Sequence, residues 1–559
     1  MPIRDLPLLQ LPLALALGTA FNLLFVTASW GQLVVLPSGE PQPSEPQPSE
    51  LPSEPQPSAS QPSELQPSAS QNSGWTAEQR PDAPTAVSQP DELADDVPVA
   101  PSGKGTIADI QIQFVDQDGQ PQTGTTREFI IRREFELQPG DAYDPALAQQ
   151  GLDRLSRLDI VRKASLTLEP TVDPNQVLLV IQVVERRSFH VGFSTNAPSP
   201  SALPGPFQPT SVSPGITEKT GLAAGASVGF RNLGGNDQDL TLRVRGGETV
   251  LDTELSFLDP WIATDSHRTG YAVNVFSQRS TQGVFTGGDR EVNLPNGDTP
   301  WVHRLGGGVE VFRAIASDLR VAAGVSYQRV SVRDDFFTNQ VFSRDELGNA
   351  LTVSDSGQDD LLTLRLAADF DRRDNADAPN SGYRILLGLD QAIPVGNASI
   401  EFTRLTGNYI QYLPTRFLSL TDANSTLVLN LQAGTMLGDV PPYDAFDLNS
   451  GPVQGYNGID LGTGSSFVQA AAEYRFPIAN FRVFNQPIGL GAALFTGYTS
   501  ALGTASEVIG QPSIVREKPG DGFAYGVGLR ANTPLGLVRL ELGFSSGGSA
   551  VVITTGDRF

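Results

Sequence analysis

The sequence has no cysteine and only three histidines among its 559 residues. The lack of cysteine excludes a disulfide framework and any metal site built from thiolates. His190, His267 and His303 are far apart in the sequence, and none has the spacing of a zinc site. A formal net charge of -24 also argues against nucleic acid as a partner, because its phosphates attract basic surfaces. No metal and no cofactor is therefore expected.

Catalytic patterns are equally scarce. "GASVG", from Gly225 to Gly229, matches the G-x-S-x-G pattern and places Ser227 at its centre. A nucleophile elbow needs a strand, a sharp turn and a helix, whereas "LAAGASVGF" continues as a strand. Acidic pairs such as Asp359-Asp360 are interpreted as solvated loop charges. We therefore expect no enzymatic activity.

Long apolar runs are confined to the amino terminus, where one extends from Leu6 to about Ala28 after Arg4. Small residues follow it, which predicts a secretory signal peptide over residues 1–31. An uncleaved membrane anchor is the alternative, because Asp5 offsets the charge of Arg4 and the run is long for a signal peptide. After Gly31, no run approaches the roughly 18 apolar residues of a membrane helix.

Residues 32–104 repeat a Pro-Ser-Glu/Gln unit, as in "EPQPSEPQPSELPSEPQPSASQPSELQPSASQ". Such a segment cannot bury enough apolar surface to fold, and its prolines favour an extended conformation. It is predicted to be a disordered tether, with a proline-rich ligand for another domain as the alternative.

Residues 105–187 combine the signals of strands and helices. "TIADIQIQF" alternates as a strand, "TTREFIIRREFEL" has helical spacing, and a second helix is predicted after Asp144 with Pro145 at its first position. "IVRKASLTLEP" and "QVLLVIQVVE" read as two further strands. The order β-α-α-β-β predicts one small α+β domain. Its predicted core consists of Ile110, Ile112, Leu152, Leu155, Leu158, Leu166, Leu179 and Ile181.

Residues 188–559 show short alternating runs with almost no helical period. In "LVRLELGF", Leu540 and Leu542 alternate with Arg539 and Glu541. A soluble β-sandwich would also alternate, but its packed core would reject charges deep within strands, which a water-filled lumen accepts. At roughly 20–25 residues for each strand and connection, the segment predicts a transmembrane antiparallel β-barrel of about 16 strands. Trp261 and Trp301 flank apolar runs and are expected to be interfacial anchors.

Four stretches together resemble one family, the BamA/TamA-type outer-membrane assembly proteins and their two-partner-secretion relatives. The 105–187 unit resembles their POTRA domain. "DFDRRDNADAPNSGYRI" resembles their D-x-R-D-N strand-turn-strand. "NTPLGLVRLELGF" and the final "GDRF" resemble the last two barrel strands, and "GPVQGYNGIDLG" lies where the family has a loop folded into the lumen. The residues of the strand-turn motif and of the closing strand are Asp371, Arg373, Asp374, Asn375, Pro379, Gly382, Gly556 and Phe559.

In this family, an arginine at the tip of the lumen loop pairs with an acidic residue on the barrel wall. The loop motif here is Val453, Gln454, Gly455 and Tyr456, with Gln454 at the place of the arginine. The matching wall motif is Phe495-Thr496-Gly497, with Gly497 at the place of the acid. The loss of both partners together is physically consistent, because the loss of only one would leave a costly unpaired charge inside the barrel. The resemblance implies a loop inside the lumen, held by neutral contacts to wall residues such as Arg475 or Glu473. A glycine-rich surface loop is the alternative.

The resemblance implies a barrel that inserts or translocates β-rich client proteins at the outer membrane of a diderm bacterium or a derived organelle. The POTRA domain would lie in the periplasm, where accessory proteins are candidate partners, and the barrel would contact outer-membrane lipid. A client strand would pair at the seam between residues 189–193 and 551–559. Two alternatives stay open: a two-partner-secretion translocator that exports one exoprotein, and a passive porin-like channel. A single POTRA domain weighs against the first, and any POTRA domain weighs against the second.

Overall fold

The computed structural model describes residues 104–194, 223–263, 265, 267–286, 291–375, 378–396, 398–416, 425–448, 461–483, 486–533 and 536–555. The predicted signal peptide and nearly all of the predicted tether lie outside these ranges. So do the lumen-loop residues Val453, Gln454, Gly455 and Tyr456 and the closing residues Gly556 and Phe559. The interpretations of these segments stay predictions. None of the helices in the described ranges has the length and apolar character needed to cross a membrane.

The N-terminal domain contains three strands and two helices in the predicted order β-α-α-β-β. They are β1 (Thr106–Phe114), α1 (Glu128–Arg132), α2 (Pro145–Ser156), β2 (Val161–Pro170) and β3 (Gln176–Glu185). Strand β3 lies in the middle of the sheet, parallel to β1 and antiparallel to β2.

Local sequence explains where α2 begins. The Asp144 side chain accepts hydrogen bonds from the backbone N–H of Ala146 at 2.8 Å and of Leu147 at 3.4 Å. These bonds satisfy two of the N–H groups that a helix leaves open in its first turn. Pro145 occupies the first helical position, where its missing N–H costs nothing.

One hydrophobic cluster holds the N-terminal domain together. Of the predicted core residues, only Ile112 and Leu158 are partly exposed, and both pack against the buried cluster. Leu152 and Leu155 are fully buried on the face of α2 that covers the sheet. The apolar spacing of the sequence therefore identified the correct face of this helix.

The long described strands from Phe189 onward form one antiparallel sheet of 16 strands, the number expected from the length of this part of the chain. The strands are β4 (Phe189–Ser194), β5 (Ala223–Phe230), β6 (Asp239–Gly247), β7 (Val250–Asp259), β8 (Thr269–Thr281), β9 (Trp301–Ala316), β10 (Leu319–Arg333), β11 (Gln358–Asp371), β12 (Gly382–Ile393), β13 (Phe402–Thr415), β14 (Ser425–Gly438), β17 (Ser466–Val483), β18 (Gln486–Ser500), β19 (Asp521–Thr533), β20 (Gly536–Ser545) and β21 (Gly548–Thr555). A separate two-stranded ribbon, β15 (Phe446–Asp447) and β16 (Thr463–Gly464), lies in the connection between β14 and β17.

The faces of this sheet are reversed relative to a soluble protein. In β20, Leu540 and Leu542 are 42% and 36% exposed, whereas Arg539 and Glu541 between them are 5% and 2% exposed. Apolar side chains on the outside and charged side chains on the inside are the pattern of a barrel in lipid with a polar interior.

The two ends of the barrel differ. Strand β4 begins close after the N-terminal domain, so we call that rim the domain end. At the opposite rim, the cap end, connections carry the short helices α3 (Gly283–Thr286) and α4 (Pro512–Val515). Buried side chains from several connections and strand ends form one apolar cluster there, including Phe285, Leu294, Tyr443, Phe446 and Leu461.

Contacts between distant connections show how far the sheet curls. Arg516, in the β18–β19 connection, bonds Asp345 at 3.1 Å and Glu346 at 2.9 Å in the β10–β11 connection. Connections from opposite halves of the sheet therefore meet at the cap end. The sheet is wrapped into a barrel whose cap end is filled by packed connections.

We predict that the N-terminal domain folds alone, because its core contains only its own residues. In a fragment spanning residues 104–187, Leu155→Ala should lower the free energy of unfolding by about 2–5 kcal/mol, since it opens a cavity beside β2 and β3. The control Gln150→Ala changes an exposed residue of the same helix and should leave stability nearly unchanged. Urea denaturation provides the measurement, and similar losses in both variants would contradict the assigned helix face.

Candidate functional site: the barrel interior and its two ends

A chain of buried charges joins the barrel wall to the cap. Asp390 on β12 bonds Arg365 at 2.7 Å and lies 3.6 Å from Arg404 on β13. Arg404 then donates to the backbone oxygen of Asp444 at 2.7 Å, and Arg304 on β9 bonds the Asp444 carboxylate at 3.0 Å. Because each of these charges has a partner, the free-energy cost of burying it is partly offset.

Tyr443 anchors the centre of the cap. It is fully buried, and its hydroxyl donates to Asp359 at 2.5 Å. Asp359 also accepts the backbone N–H groups of Val353 and Ser354. Burial, followed by the nearby Asp359 carboxylate, raises the pKa of Tyr443 well above its usual value. The interpretation of Asp359-Asp360 as solvated loop charges is wrong, because β11 begins at Gln358 and Asp359 points into this buried contact.

The predicted wall residues belong to the inner surface. Phe495 and Gly497 alternate with exposed residues on β18 and lie on its buried side. On the neighbouring strand, Glu473 is fully buried and accepts from Arg475 at 2.7 Å and from Arg530 at 2.8 Å. This charged group is the one that sequence reasoning matched with the lumen loop, whose own position stays a prediction.

The strand-turn motif at the domain end is held by its own side chains. Asp371 and Arg373 form an ion pair at 2.7 Å. One oxygen of Asp374 accepts three backbone N–H groups, from Asn375, Asn380 and Ser381, at 3.0 to 3.1 Å. Although burial opposes it, these donors hold the pKa of Asp374 below its usual range.

Gly382 closes this turn in a conformation that few other residues adopt. Its φ is +96°, and a Cβ added there would overlap the backbone oxygen of Arg372. The turn is also tied to the barrel wall, because Thr426 at the start of β14 donates to the Asn380 side chain at 3.0 Å. Pro379 is buried between these contacts. The motif therefore forms a rigid turn at the rim of the barrel.

The N-terminal domain is attached to the barrel through the β5–β6 turn. The backbone N–H of Arg127 donates to the oxygen of Gly235 at 3.0 Å. The Asn232 side chain donates to the Thr126 hydroxyl at 2.8 Å. The start of α1 thus rests directly on a barrel turn.

Arg133 completes this domain contact. It donates to the backbone oxygen of Trp261 at 2.9 Å, lies 4.4 Å above the centre of that indole ring, and is 3.4 Å from Asp237. Trp261 was expected to be an interfacial anchor and is instead the partner of an arginine from another domain. The sequence alone does not reveal this contact, because its members are more than 100 residues apart and match no motif.

The residues considered for catalysis are dispersed. Ser227 lies in the middle of β5, opposite Gly192 and Arg243, without the helix that a nucleophile elbow requires. His303 is buried, with its Nε2 atom 2.9 Å from the backbone oxygen of Asp335, which indicates a structural role.

We predict that Gly382 is required for stability. Gly382→Ala should lower the free energy of unfolding of the barrel by about 1–3 kcal/mol from the positive φ alone, and by more because of the overlap with Arg372. Gly348→Ala is the matched control, since Gly348 also has a positive φ and a Cβ there would meet nothing within 4 Å. Unfolding in detergent provides the measurement. Equal losses of unfolding free energy in the two variants would show that the overlap with Arg372 is relieved without cost.

The domain contact should weaken as pH rises. Burial outweighs the attraction of Arg133 and raises the pKa of Asp237 from 3.8 to about 7. The pKa of Asp237 is higher when the N-terminal domain contacts the barrel than when the domain is released. The contact is therefore favoured below about pH 4, and this preference is lost as pH rises through 7. Spin labels at Gln150→Cys and Ser317→Cys should report a longer mean distance at pH 8 than at pH 5.

Asp237→Asn keeps the shape of the protonated acid and should flatten this pH response. Burial also raises the pKa of the neighbouring Glu134. The distance between the labels is therefore expected to increase slightly with pH even in this variant. An unchanged slope in Asp237→Asn would contradict the assignment to Asp237.

Comparison with known proteins agrees with the architecture. The structure of BamA from Haemophilus ducreyi lacking POTRA domains 1–3 superposes with a TM-score of 0.52 at 13% identity, and the match covers 81% of this chain and 83% of that one. The match supports the barrel fold that the alternation and the strand count predicted.

Two curated relatives are plant proteins. The chain is 27% identical over 466 residues to outer envelope protein 80, chloroplastic, of Arabidopsis thaliana, and 27% identical over 491 residues to protein TOC75, chloroplastic, of Pisum sativum. Each match covers 82% of this chain but only 58% and 56% of the relative. The Omp85 superfamily domain matches residues 232–550. That match includes more than half of the sequence and most of the barrel, so the chain belongs to the Omp85 superfamily.

Proposed function

We propose that this protein inserts or translocates β-rich polypeptides at an outer membrane, without chemistry of its own. The observation that carries the proposal is an Omp85 barrel joined at its domain end to a sheet-containing domain. Relatives named as chloroplast outer envelope proteins support a location in an outer membrane of a bacterium or derived organelle. The N-terminal domain is interpreted as a POTRA domain on the inner side of that membrane.

The barrel offers a seam at which a client strand can pair. Strands β4 and β21 are the two ends of the sheet order, so in the described residues each is paired on one side only. An edge of this kind has N–H and C=O groups that can form ladder hydrogen bonds with a new strand.

The N-terminal domain offers a second pairing edge. Its sheet order β1-β3-β2 places β2 at one edge. The opposite edge is partly covered, because Ile107 on β1 donates to Asp141 at 2.8 Å and Thr106 bridges to Ala142. An extended client is therefore expected to add to β2, where main-chain hydrogen bonds give affinity without a fixed sequence. The contact with the β5–β6 turn holds this domain at the domain end of the barrel.

Two other functions remain as alternatives. A two-partner-secretion translocator would pass one dedicated exoprotein through the lumen. A passive porin would need a continuous aqueous path, and the buried cap cluster around Tyr443 and Phe446 weighs against it. The N-terminal domain with its POTRA-like order also weighs against a passive porin, which needs no such domain.

Depletion of the protein in its native host distinguishes these functions. Loss of many outer-membrane β-barrel proteins from a quantitative membrane proteome is the expected result. Loss of one secreted protein alone would identify a dedicated translocator. Unchanged protein levels with altered uptake of small solutes would identify a channel and contradict the proposal.

The seam mechanism can be tested separately, because the chain has no native cysteine. Val191→Cys with Val551→Cys places one thiol on each seam strand, and a short bifunctional maleimide should link them and block insertion of clients. Leu529→Cys with Leu540→Cys is the control, since these residues face each other across β19 and β20. Linking the control pair should leave insertion unchanged. Normal insertion by a fully linked seam would contradict the mechanism.

A further inference from the structure

The outer surface of the barrel contains a notch between β8, β9 and β10, which we call the β9 notch. Its volume is about 460 Å³. It is lined by Val275, Leu305, Gly306, Gly307, Tyr327 and Arg329. Apart from the tyrosine and the arginine, its lining is aliphatic or glycine, so it suits a hydrocarbon chain.

The notch is part of the strand pairing itself. Gly307 lies opposite Val275 on one side and Tyr327 on the other, and Val275 and Tyr327 are both exposed. A Cβ added to Gly307 would lie 2.5 Å from the backbone oxygen of Asn274. The close approach of β8 therefore requires glycine here, and the absent side chain leaves a gap in an otherwise apolar outer surface.

A fixed arginine marks the cap-end rim of the notch. Arg329 donates to Asp360 at 2.8 Å through Nε and at 3.2 Å through Nη2, and the Tyr327 hydroxyl donates to the same carboxylate at 2.8 Å. The Arg329 side chain is 53% exposed. A guanidinium carries further N–H groups on Nη1, which the bidentate pair does not use. The pair thus holds a cationic donor in one position on the outer surface.

The position of this arginine corresponds to the membrane boundary. Strand β10 ends at Arg333, four residues beyond Arg329 toward the cap end. Phe337 follows in the next connection, is 75% exposed, and lies 4.4 Å from Phe336 between ring centres. Exposed aromatic rings at strand ends are typical of the interface between hydrocarbon and headgroups. Toward the domain end, the outward residues Val309 and Val325 are apolar.

We propose that the β9 notch binds one anionic phospholipid, whose phosphate is not neutralised by a cation in its own headgroup. One acyl chain lies against Gly307 between Val275 and Tyr327, and the phosphate accepts hydrogen bonds from Arg329. Arginine and phosphate form strong charge-assisted hydrogen bonds, especially near hydrocarbon. A protein partner would need a patch of about 1,000 Å² or more, whereas this notch is one side chain wide. The site lies away from the seam strands in the sheet order and does not depend on the proposed function.

The test uses the full chain reconstituted in vesicles of equal phosphatidylglycerol and phosphatidylcholine, followed by gentle extraction and native mass spectrometry. Wild-type protein should retain one phosphatidylglycerol molecule in preference to phosphatidylcholine. Val275→Phe fills the notch from its rim and should reduce this retention roughly tenfold, as expected for a loss of about 1.4 kcal/mol. Val527→Phe, another exposed valine facing outward on β19, is the matched control and should retain the lipid.

A second variant tests the headgroup contact. Arg329→Gln combined with Asp360→Asn removes both charges together, so neither is left alone near hydrocarbon. This variant should lose the preference for phosphatidylglycerol. Equal retention of the two lipids by wild-type protein, or full retention by Val275→Phe, would overturn the proposal. Displacement of the lipid by millimolar inorganic phosphate would also overturn it, because the rim would then bind a free anion.

Discussion

A strand in hydrocarbon has no water to bond its peptide groups, so each N–H and C=O must find its partner on a neighbouring strand. The 16-stranded sheet meets this constraint through long ladders between consecutive strands. The same constraint makes the sheet edges special, because an edge strand is the one place where a peptide backbone can gain a new partner. The β4–β21 seam of the proposed function follows from it, and the β2 edge offers a backbone edge of the same kind outside the hydrocarbon.

Because apolar side chains face lipid, the polar ones face inward, where several of the described charges form connected ion pairs. The pairs around Asp390 and Asp444 link strands of the wall to the connections at the cap end. Such a network stabilises the cap through several contacts at once, so a rearrangement of the cap would have to break or exchange several of them.

The N-terminal domain is held by a contact that combines backbone and side-chain bonds. Arg127 and Thr126 bond the β5–β6 turn, and Arg133 stacks on Trp261. Asp237, at the centre of this contact, is the group whose charge burial disfavours. The orientation of the domain is thus specified by few residues, all at the domain end of the barrel.

The periodicity of the sequence determined a large part of this structure by itself. Alternating runs such as "LVRLELGF" identified barrel strands and which residues face inward, because side chains on a strand alternate between two faces. The helix N-cap residue Asp144 and the leucine spacing after it identified α2 and its buried face. These signals are local, so they can be read without knowing what lies opposite.

Only the tertiary structure decided which charges meet. Asp359 was interpreted as solvated, yet it is buried against Tyr443, 84 residues away. Trp261 was interpreted as a lipid anchor, yet it is the partner of Arg133, 128 residues away. The β9 notch depends on three strands whose alignment no single strand encodes. Such contacts depend on strand register and on how far the sheet curls, and both are set by the sum of all pairings.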